Sequence, residues 1–153
     1  MKKDEAYLRH ILDAISDIEK FTKDVTKEGF FENKEKQYAV LRALEVIGEA
    51  TKNLSKQSKA KYPDVPWRDA AGMRDKLIHG YFGVNLELVW ETIKNELPGL
   101  KKRISRILRE EEAKGTKKGV EGFLKLKDEV SRRWTGRHGV LEEARRSKHH
   151  NDQ

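Results

Sequence analysis

The sequence contains no cysteine and only three prolines, and none of its apolar runs approaches the roughly 18 residues that cross a bilayer. The absence of cysteine excludes disulfides, thiolate nucleophiles and thiolate metal ligands, and it is typical of proteins in a reducing cytoplasm. The first five residues lead into a polar and apolar alternation without the apolar core of a signal peptide. We therefore expect a cytoplasmic protein that makes no membrane contact.

Most familiar catalytic signatures are absent as well. The chain has neither a glycine-rich phosphate loop with its lysine and hydroxyl residue nor a His-Glu-x-x-His metal motif. His10 follows Arg9 on the exposed side of a predicted helix, and His149-His150 lie in a polar end without a third ligand nearby. These histidines are typical of surface positions, so we predict no metal site and no cofactor.

Charge is abundant and unevenly distributed. The net charge is +7, and residues 114–153 carry 11 Lys and Arg against 6 Asp and Glu, a net of +5. A basic tail attracts phosphate-bearing partners through counterion release, but a solvated terminal helix has the same composition. We divide the chain into a nearly neutral domain at residues 1–113 and a basic C-terminal extension at residues 114–153.

Helical periodicity runs through most of the chain. Apolar residues recur at steps of three and four, which indicates amphipathic helices. The pattern predicts helices at about 4–24 and 34–60, a third from Trp67 towards Ile78, and a fourth that starts after the N-cap Asn85, with a kink or short break at Pro98-Gly99. The predicted fold class is all-α, a four- to five-helix bundle with a basic C-terminal helical extension.

Glycines and aromatic residues mark the remaining features of the pattern. Residues 26–33 read as a connecting loop with Phe30 and Phe31 as an aromatic plug. Gly48 lies on the buried face of the second helix, where it permits another helix to approach closely. Residues 114–122 hold three glycines and predict a linker, after which Phe123, Leu126, Val130 and Trp134 predict one amphipathic helix that Gly136 and Gly139 interrupt. The polar end of the extension is expected to be disordered.

Residues 74–81 combine an arginine, a histidine and a tyrosine around the predicted end of the third helix. Arg74 and Tyr81 are seven residues apart and share a helical stripe. Arg74 and His79 are five apart, which separates them by about 140° around a straight helix and about 7.5 Å along it. They converge if the helix unwinds at Gly80, or if two copies of the helix pair and each donates half a site. The second arrangement predicts a homodimer.

These residue types suit phosphodiester chemistry. A histidine exchanges protons near neutral pH, and an arginine binds phosphate bidentately and stabilises the charge that develops on it. Together they suit RNA cleavage by the 2′-hydroxyl, a reaction that needs no metal. The structural alternative is that Arg74 pairs with an acidic neighbour, His79 contacts its own helix C-terminus and Tyr81 packs in the core.

The segments around residues 74–81 resemble those of a known family, in the same order. Residues 7–113 resemble the HepT-like family of the HEPN superfamily, a group of small helical proteins. The resemblance rests on segments spread over about three quarters of the chain: Ile47-Gly48-Glu49-Ala50, Pro66-Trp67-Arg68, Ala71-Gly72-Met73-Arg74-Asp75, Ile78-His79-Gly80-Tyr81-Phe82, Leu88-Val89-Trp90 and Leu97-Pro98.

The resemblance implies a metal-independent endoribonuclease, the toxin of a type VII-like toxin–antitoxin pair, which acts on RNA as a homodimer. Carried over to this chain, Arg74 orients and stabilises the scissile phosphate, His79 is the general acid or base, and Asp75 supports the site. The partner antitoxin of the family is a minimal nucleotidyltransferase, which would adenylylate Tyr81 and so block the cleft. The basic extension is additional to the usual family chain.

Two other functions compete with this interpretation. A HEPN-like module could keep the fold and its dimer but use the cleft to bind a nucleotide or a partner without catalysis. A nucleic-acid-binding structural protein could act through the basic extension alone. The presence of Arg74, His79 and Tyr81 together favours the enzyme.

Overall fold

The computed structural model describes the backbone of residues 2–78 and 83–148 and the side chains of residues 3–78 and 83–134. The described elements are all helical: α1 (Lys2–Thr22), α2 (Lys27–Glu32), α3 (Lys34–Asn53), α4 (Lys56–Lys61), α5 (Trp67–Ala71), α6 (Met73–Leu77), α7 (Leu86–Glu91), a π-helical segment (Thr92–Glu96) and α8 (Leu97–Lys148). The only strand-like pairing among the described residues is an isolated bridge between Ile78 and Val84. The all-α prediction is therefore confirmed.

The chain divides into two compact units, Met1–Arg109 and Glu110–Gln153. The structure does not test the predicted boundary between residues 113 and 114, which stays a prediction. Every buried apolar residue that the structure describes lies in the first unit, mainly on α1, α3, the segment around α5 and α6, α7 and the start of α8. The predicted buried stripes on α1 and α3 are confirmed at Ile11, Ile15, Leu44 and Ile47, all of which are fully buried.

Side-chain caps define where four of the helices begin. Thr26, Asn33, Ser55 and Asn85 each accept a hydrogen bond from a backbone N–H in the first turn that follows them. Such caps satisfy N–H groups that the helix itself leaves without a partner. The predicted N-cap at Asn85 is therefore confirmed, and the cap at Ser55 divides the predicted helix over residues 34–60 into α3 and α4.

Asp4 ties the start of α1 to the junction between α3 and α4. Its carboxylate is buried and accepts hydrogen bonds from the Ser55 N–H (3.0 Å), the Ser55 hydroxyl (2.6 Å) and the Ser58 hydroxyl (2.6 Å). Burial raises the pKa of Asp4, but the hydrogen bonds from Ser55 and Ser58 outweigh it and hold the pKa below its usual value. The charged form of Asp4 is thus part of the folded structure.

The prediction of a loop at residues 26–33 was wrong, because Lys27–Glu32 forms the helix α2 between the caps Thr26 and Asn33. The aromatic plug is confirmed at Phe30, which is fully buried with its ring centroid 5.5 Å from that of Trp90. Gln37 donates hydrogen bonds to the carbonyls of Phe30 and Phe31. The plug therefore joins α2 to α3 and α7.

Of the predicted kink or short break at Pro98-Gly99, the break was wrong, and the kink stays a prediction. The helix continues from α7 through the π-helical segment into α8, and the Leu97 N–H bonds to the carbonyl of Thr92, five residues back. Proline has no N–H to donate, and the wider π-type turn before it keeps the helix continuous.

The predicted linker at residues 114–122 is helical, since α8 extends to Lys148 without interruption at Gly136 or Gly139. The glycines are separated by residues that favour helix, and they lower the helix propensity without breaking the hydrogen-bonded ladder. The extension is therefore one helix over its described residues, so the helix predicted from Phe123 to Trp134 is confirmed, and the predicted linker and the predicted interruptions at Gly136 and Gly139 were wrong. The expected disordered end at residues 149–153 lies outside the described residues.

Candidate active site

Arg74 lies on α6, a five-residue helix that two buried side chains anchor to the core. Met73 is 5% exposed and Leu77 is fully buried, and these residues flank Arg74, Asp75 and Lys76 on the exposed side. The predicted third helix is interrupted at Gly72, which ends α5 and begins α6. This break gives Arg74 an orientation that a continuous helix from Trp67 would not.

A carboxylate from a different helix holds the Arg74 side chain. Arg74 Nη1 lies 3.3 Å from Glu45 Oε1, and the second carboxylate oxygen of Glu45 lies 3.3 Å from Arg42 Nη1. The Glu45 side chain is 31% exposed, and that of Arg74 is 52% exposed. Glu45 therefore steers the Arg74 guanidinium while leaving half of its surface open to a ligand. The sequence analysis missed Glu45 and Arg42.

Gly48 brings α5 and α6 close enough to α3 for this pairing. A Cβ atom at Gly48 would lie 3.1 Å from the backbone carbonyl oxygen of Ala71, which is closer than ordinary packing. Glu45 lies one turn before Gly48 and therefore on the same face of α3. The predicted close approach at Gly48 is confirmed, and the same spacing is the sequence signal that could have identified Glu45.

The other polar residues of α6 point to different surroundings. Lys76 Nζ lies 3.2 Å from Glu96 Oε1 on the π-helical segment. Asp75, the residue after Arg74, is exposed. Arg74 and Lys76 are thus each paired with an acidic residue from another element. The supporting role of Asp75 is not tested by these contacts and stays a prediction.

Backbone contacts join the end of α6 to the residues just before α7. The Ile78 N–H bonds to the carbonyl of Arg74, Ile78 pairs with Val84, and the Asn85 N–H bonds to the carbonyl of Leu77 at 3.0 Å. His79, Gly80, Tyr81 and Phe82 lie outside the described residues, so the structure does not show whether His79 and Tyr81 meet Arg74. Both ends of their segment are nevertheless attached directly to α6.

The backbone at these ends corrects one assumption of the sequence analysis. The α-helix ends at Leu77, and Ile78 is extended with φ −113° and ψ 121°, so the helix does not reach His79. The 140° separation of Arg74 and His79 on a straight helix therefore does not apply. Gly83 has φ +85°, a left-handed conformation that favours glycine.

A groove of about 330 Å³ borders the Arg42 end of the ion-pair chain. It lies between α1 and α3, with Ala39, Ala43 and Val46 on its α3 side and His10, Asp13 and Asp17 on its α1 side. Through Arg42 and Glu45, this groove is connected by direct contacts to Arg74.

Two kinds of feature are absent from the part of the chain that the structure describes. No group of three or more histidine or acidic side chains in this part of the chain is arranged to hold a metal ion. Within the same residues, no helix is long and apolar enough to span a membrane.

Comparison with known proteins places this chain in a family. The family model described as "Ribonuclease HepT-like" matches residues 11–107, which include α6 and residues 79–82 after it. The extension after Lys114 lies outside the matched range. No solved structure matches the chain.

Similar proteins carry names that agree with the family model. The chain is 51% identical over 110 residues to "Putative RNase MJ0125" of Methanocaldococcus jannaschii, an alignment that covers 72% of this chain and 95% of that protein. It is 48% identical over 101 residues to "Probable ribonuclease HepT" of Thermococcus cleftensis, covering 66% and 92%. It is 46% identical over 111 residues to "Putative RNase TTE0752" of Caldanaerobacter subterraneus, covering 72% and 99%. The chain belongs to the HepT-like ribonuclease family of the HEPN superfamily.

Proposed function

We propose that this protein is a metal-independent endoribonuclease that cleaves RNA in the cytoplasm with Arg74 and His79, as the toxin of a type VII-like toxin–antitoxin pair. The observation that carries the proposal is the position of Arg74. Its side chain is half exposed and paired with Glu45 from α3, and Arg74 stands five residues before His79 in the sequence. Membership of a ribonuclease family supplies the class of substrate.

The chemistry follows from the two side chains. The RNA 2′-hydroxyl attacks the adjacent phosphorus while its proton passes to a base, and the bond from phosphorus to the 5′-oxygen breaks as that oxygen receives a proton. His79 has the residue type for one of these proton transfers, and Arg74 stabilises the negative charge that builds on the phosphoryl oxygens. The products are a 2′,3′-cyclic phosphate and a 5′-hydroxyl. Asp75 is proposed to support the site from the neighbouring position.

We further propose that the active form is a homodimer in which two copies of the segment 74–81 face one cleft. Because α6 ends before His79, a composite site between protomers and a site within one protomer both remain compatible with the backbone. The family resemblance favours the composite arrangement. The complementation experiment in the Discussion separates the two.

Tyr81 is the proposed site of control. A cognate minimal nucleotidyltransferase antitoxin would transfer an adenylyl group to its hydroxyl and release pyrophosphate. The added phosphate is an anion close in sequence to Arg74, so it would compete with the RNA backbone for the guanidinium and obstruct the cleft.

The deciding experiment measures RNA cleavage in EDTA by full-length protein whose mass shows an unmodified Tyr81. We expect wild-type protein to cut RNA, and Arg74→Ala and His79→Ala each to lower the rate by about 100-fold or more. Lys76→Ala and His10→Ala are the matched controls, since each removes a residue of similar chemistry from another position, and both should retain cleavage. An RNA with a single ribonucleotide in a deoxy background should be cut only after that ribonucleotide.

The competing function is a non-catalytic HEPN-like module that binds a nucleotide or a partner in the same cleft. It predicts that unmodified wild-type protein leaves RNA intact in EDTA and also in magnesium. That result, with the protein shown to be folded, would replace the ribonuclease proposal with the binding module.

A further inference from the structure

The described part of the second unit presents a continuous apolar surface, which we call the apolar stripe. Six large side chains form it, each between 51% and 66% exposed: Val120, Phe123, Leu124, Leu126, Val130 and Trp134. At 100° per residue they fall within an arc of about 160°, and they extend over about 21 Å of helix. Scattered exposed apolar residues need no explanation, but a contiguous stripe of this size marks an interaction surface.

The stripe follows the seven-residue repeat of helices that pair with other helices. Val120, Lys127 and Trp134 are seven residues apart, as are Phe123 and Val130, and the two sets alternate at spacings of three and four. Lys127 is a charged residue at the centre of an otherwise apolar seam. In paired helices, one such residue specifies register at some cost in stability.

Glycines flank the same seam. Gly119 falls between Leu126 and Val130 around the helix, and Gly115 and Gly122 lie beside its edge. A Cβ atom at any of the three would meet nothing within 4 Å, so no contact among the described residues accounts for them. Glycine weakens an exposed helix but lets a second helix approach closely. A lipid surface or an RNA strand would gain nothing from this.

We propose that the apolar stripe pairs with the same stripe of a second copy of this chain. The seam matches itself in an antiparallel pair, in which Val120 faces Val130 and Phe123 faces Lys127, so that the two Lys127 ammonium groups avoid each other. Covering both stripes removes on the order of 1,000 Å² from water, which reaches the size of a specific interface. The pairing lies outside the residues that the family model matches.

The basic residues of the extension are compatible with this pairing. Four basic residues lie on the helix face opposite the stripe: Lys114, Lys118, Lys125 and Arg132. The ion pair between Arg133 and Glu129 lies beside that face. Charges on the outer faces of two paired helices are more than a Debye length of about 8 Å apart and are largely screened.

Because the chain has no cysteine, one introduced thiol per chain reports the pairing in the full-length protein. Lys127→Cys places a thiol in the seam, and Lys125→Cys places one two residues away and about 200° around the helix. Both substitutions remove one lysine, so they are matched in charge. A bis-maleimide with a reach of about 10 Å, the spacing of packed helices, should link two Lys127→Cys chains at least tenfold faster than two Lys125→Cys chains.

A second substitution tests whether the stripe itself is responsible. Phe123→Ala with Val130→Ala in the Lys127→Cys background should abolish the fast crosslink, although alanine favours helix and circular dichroism should show retained helicity. Equal crosslinking of the two single-cysteine proteins would overturn the proposal. Crosslinking that appears only with added oligouridylate, or a Lys127→Cys protein that binds phosphatidylglycerol vesicles without crosslinking, would overturn it too and would identify RNA or lipid as the occupant.

Discussion

The orientation of Arg74 depends on one carboxylate that is 29 residues away in the sequence. Glu45 lies between Arg42 and Arg74, at 3.3 Å from each guanidinium. Exposed ion pairs stabilise proteins by about 0.2–1 kcal/mol, so this contact contributes little to folding. Its consequence is geometric, since it limits the positions of the one described side chain that is proposed to contact phosphate.

We therefore expect Glu45→Gln to lower RNA cleavage about two- to fivefold, because Arg74 loses its charged partner. In the Arg74→Ala background the same substitution should have no further effect, which a double-mutant cycle measures directly. Glu49→Gln is the matched control, since Glu49 pairs with Lys52 one turn further along α3. An increase in cleavage by Glu45→Gln would show that Glu45 competes with phosphate and does not position Arg74.

Asp4 makes a pH-dependent contribution to stability. Its pKa is lowered in the folded protein, so its contribution is complete above the unfolded pKa of about 3.9 and is lost as the pH falls through the folded pKa. We expect Asp4→Asn to reduce the free energy of unfolding by about 1–3 kcal/mol at pH 7, because the hydrogen bonds from Ser55 and Ser58 lose their charged acceptor.

Urea denaturation at pH 7 and pH 3 measures this difference. The difference in the free energy of unfolding between wild-type protein and Asp4→Asn should be smaller at pH 3 than at pH 7. Asp13→Asn, at an exposed position of the same helix, should change the free energy of unfolding little at either pH. A gap that is equal at both pH values would contradict the role of the Asp4 charge.

At the scale of elements, the contact between α3 and α5 sets the position of α6. Gly48→Ala would place a Cβ atom 3.1 Å from the Ala71 carbonyl oxygen, and α5 would have to move by a few tenths of an ångström. Overpacking costs about 1–3 kcal/mol, and the higher helix propensity of alanine returns about 1 kcal/mol. We expect a net loss of about 1 kcal/mol in the free energy of unfolding and a lower rate of RNA cleavage.

Gly99 provides the control for this prediction. It lies in α8 of the same unit, and a Cβ atom there would meet nothing within 4 Å. Gly99→Ala should therefore stabilise the protein by about 0.5–1 kcal/mol and leave cleavage unchanged. If chemical denaturation shows the two variants to be equally stabilised, the close approach at Gly48 has no packing cost.

At the scale of the whole molecule, the question is whether one protomer holds a complete site. Arg74→Ala and His79→Ala proteins, each inactive alone, can be mixed, unfolded and refolded together. Random pairing makes half of the dimers mixed. If Arg74 of one protomer works with His79 of the other, each mixed dimer has one intact site out of two. About a quarter of the wild-type rate should then return.

The measurement is RNA cleavage by the refolded mixture, compared with each variant refolded alone. A mixture as inactive as its components, although sedimentation shows dimers, would place both residues of a site in the same protomer. If the wild-type protein sediments as a strict monomer at the concentration at which it cleaves RNA, the paired site is refuted.

The helical class, the buried faces of α1 and α3 and the cap at Asn85 could be predicted from the sequence, because these features depend on local periodicity and residue chemistry. The sequence also determined the close approach at Gly48, since a glycine on an apolar helical face has few other uses. The Glu45–Arg74 pair and the binding of Asp4 by Ser55 and Ser58 became visible only in the folded structure. These contacts join residues that are far apart in the chain, and no local pattern encodes which of many acidic or hydroxyl side chains will meet. The continuation of α8 through its glycines was decided in the same way, by the structure and against the local propensity.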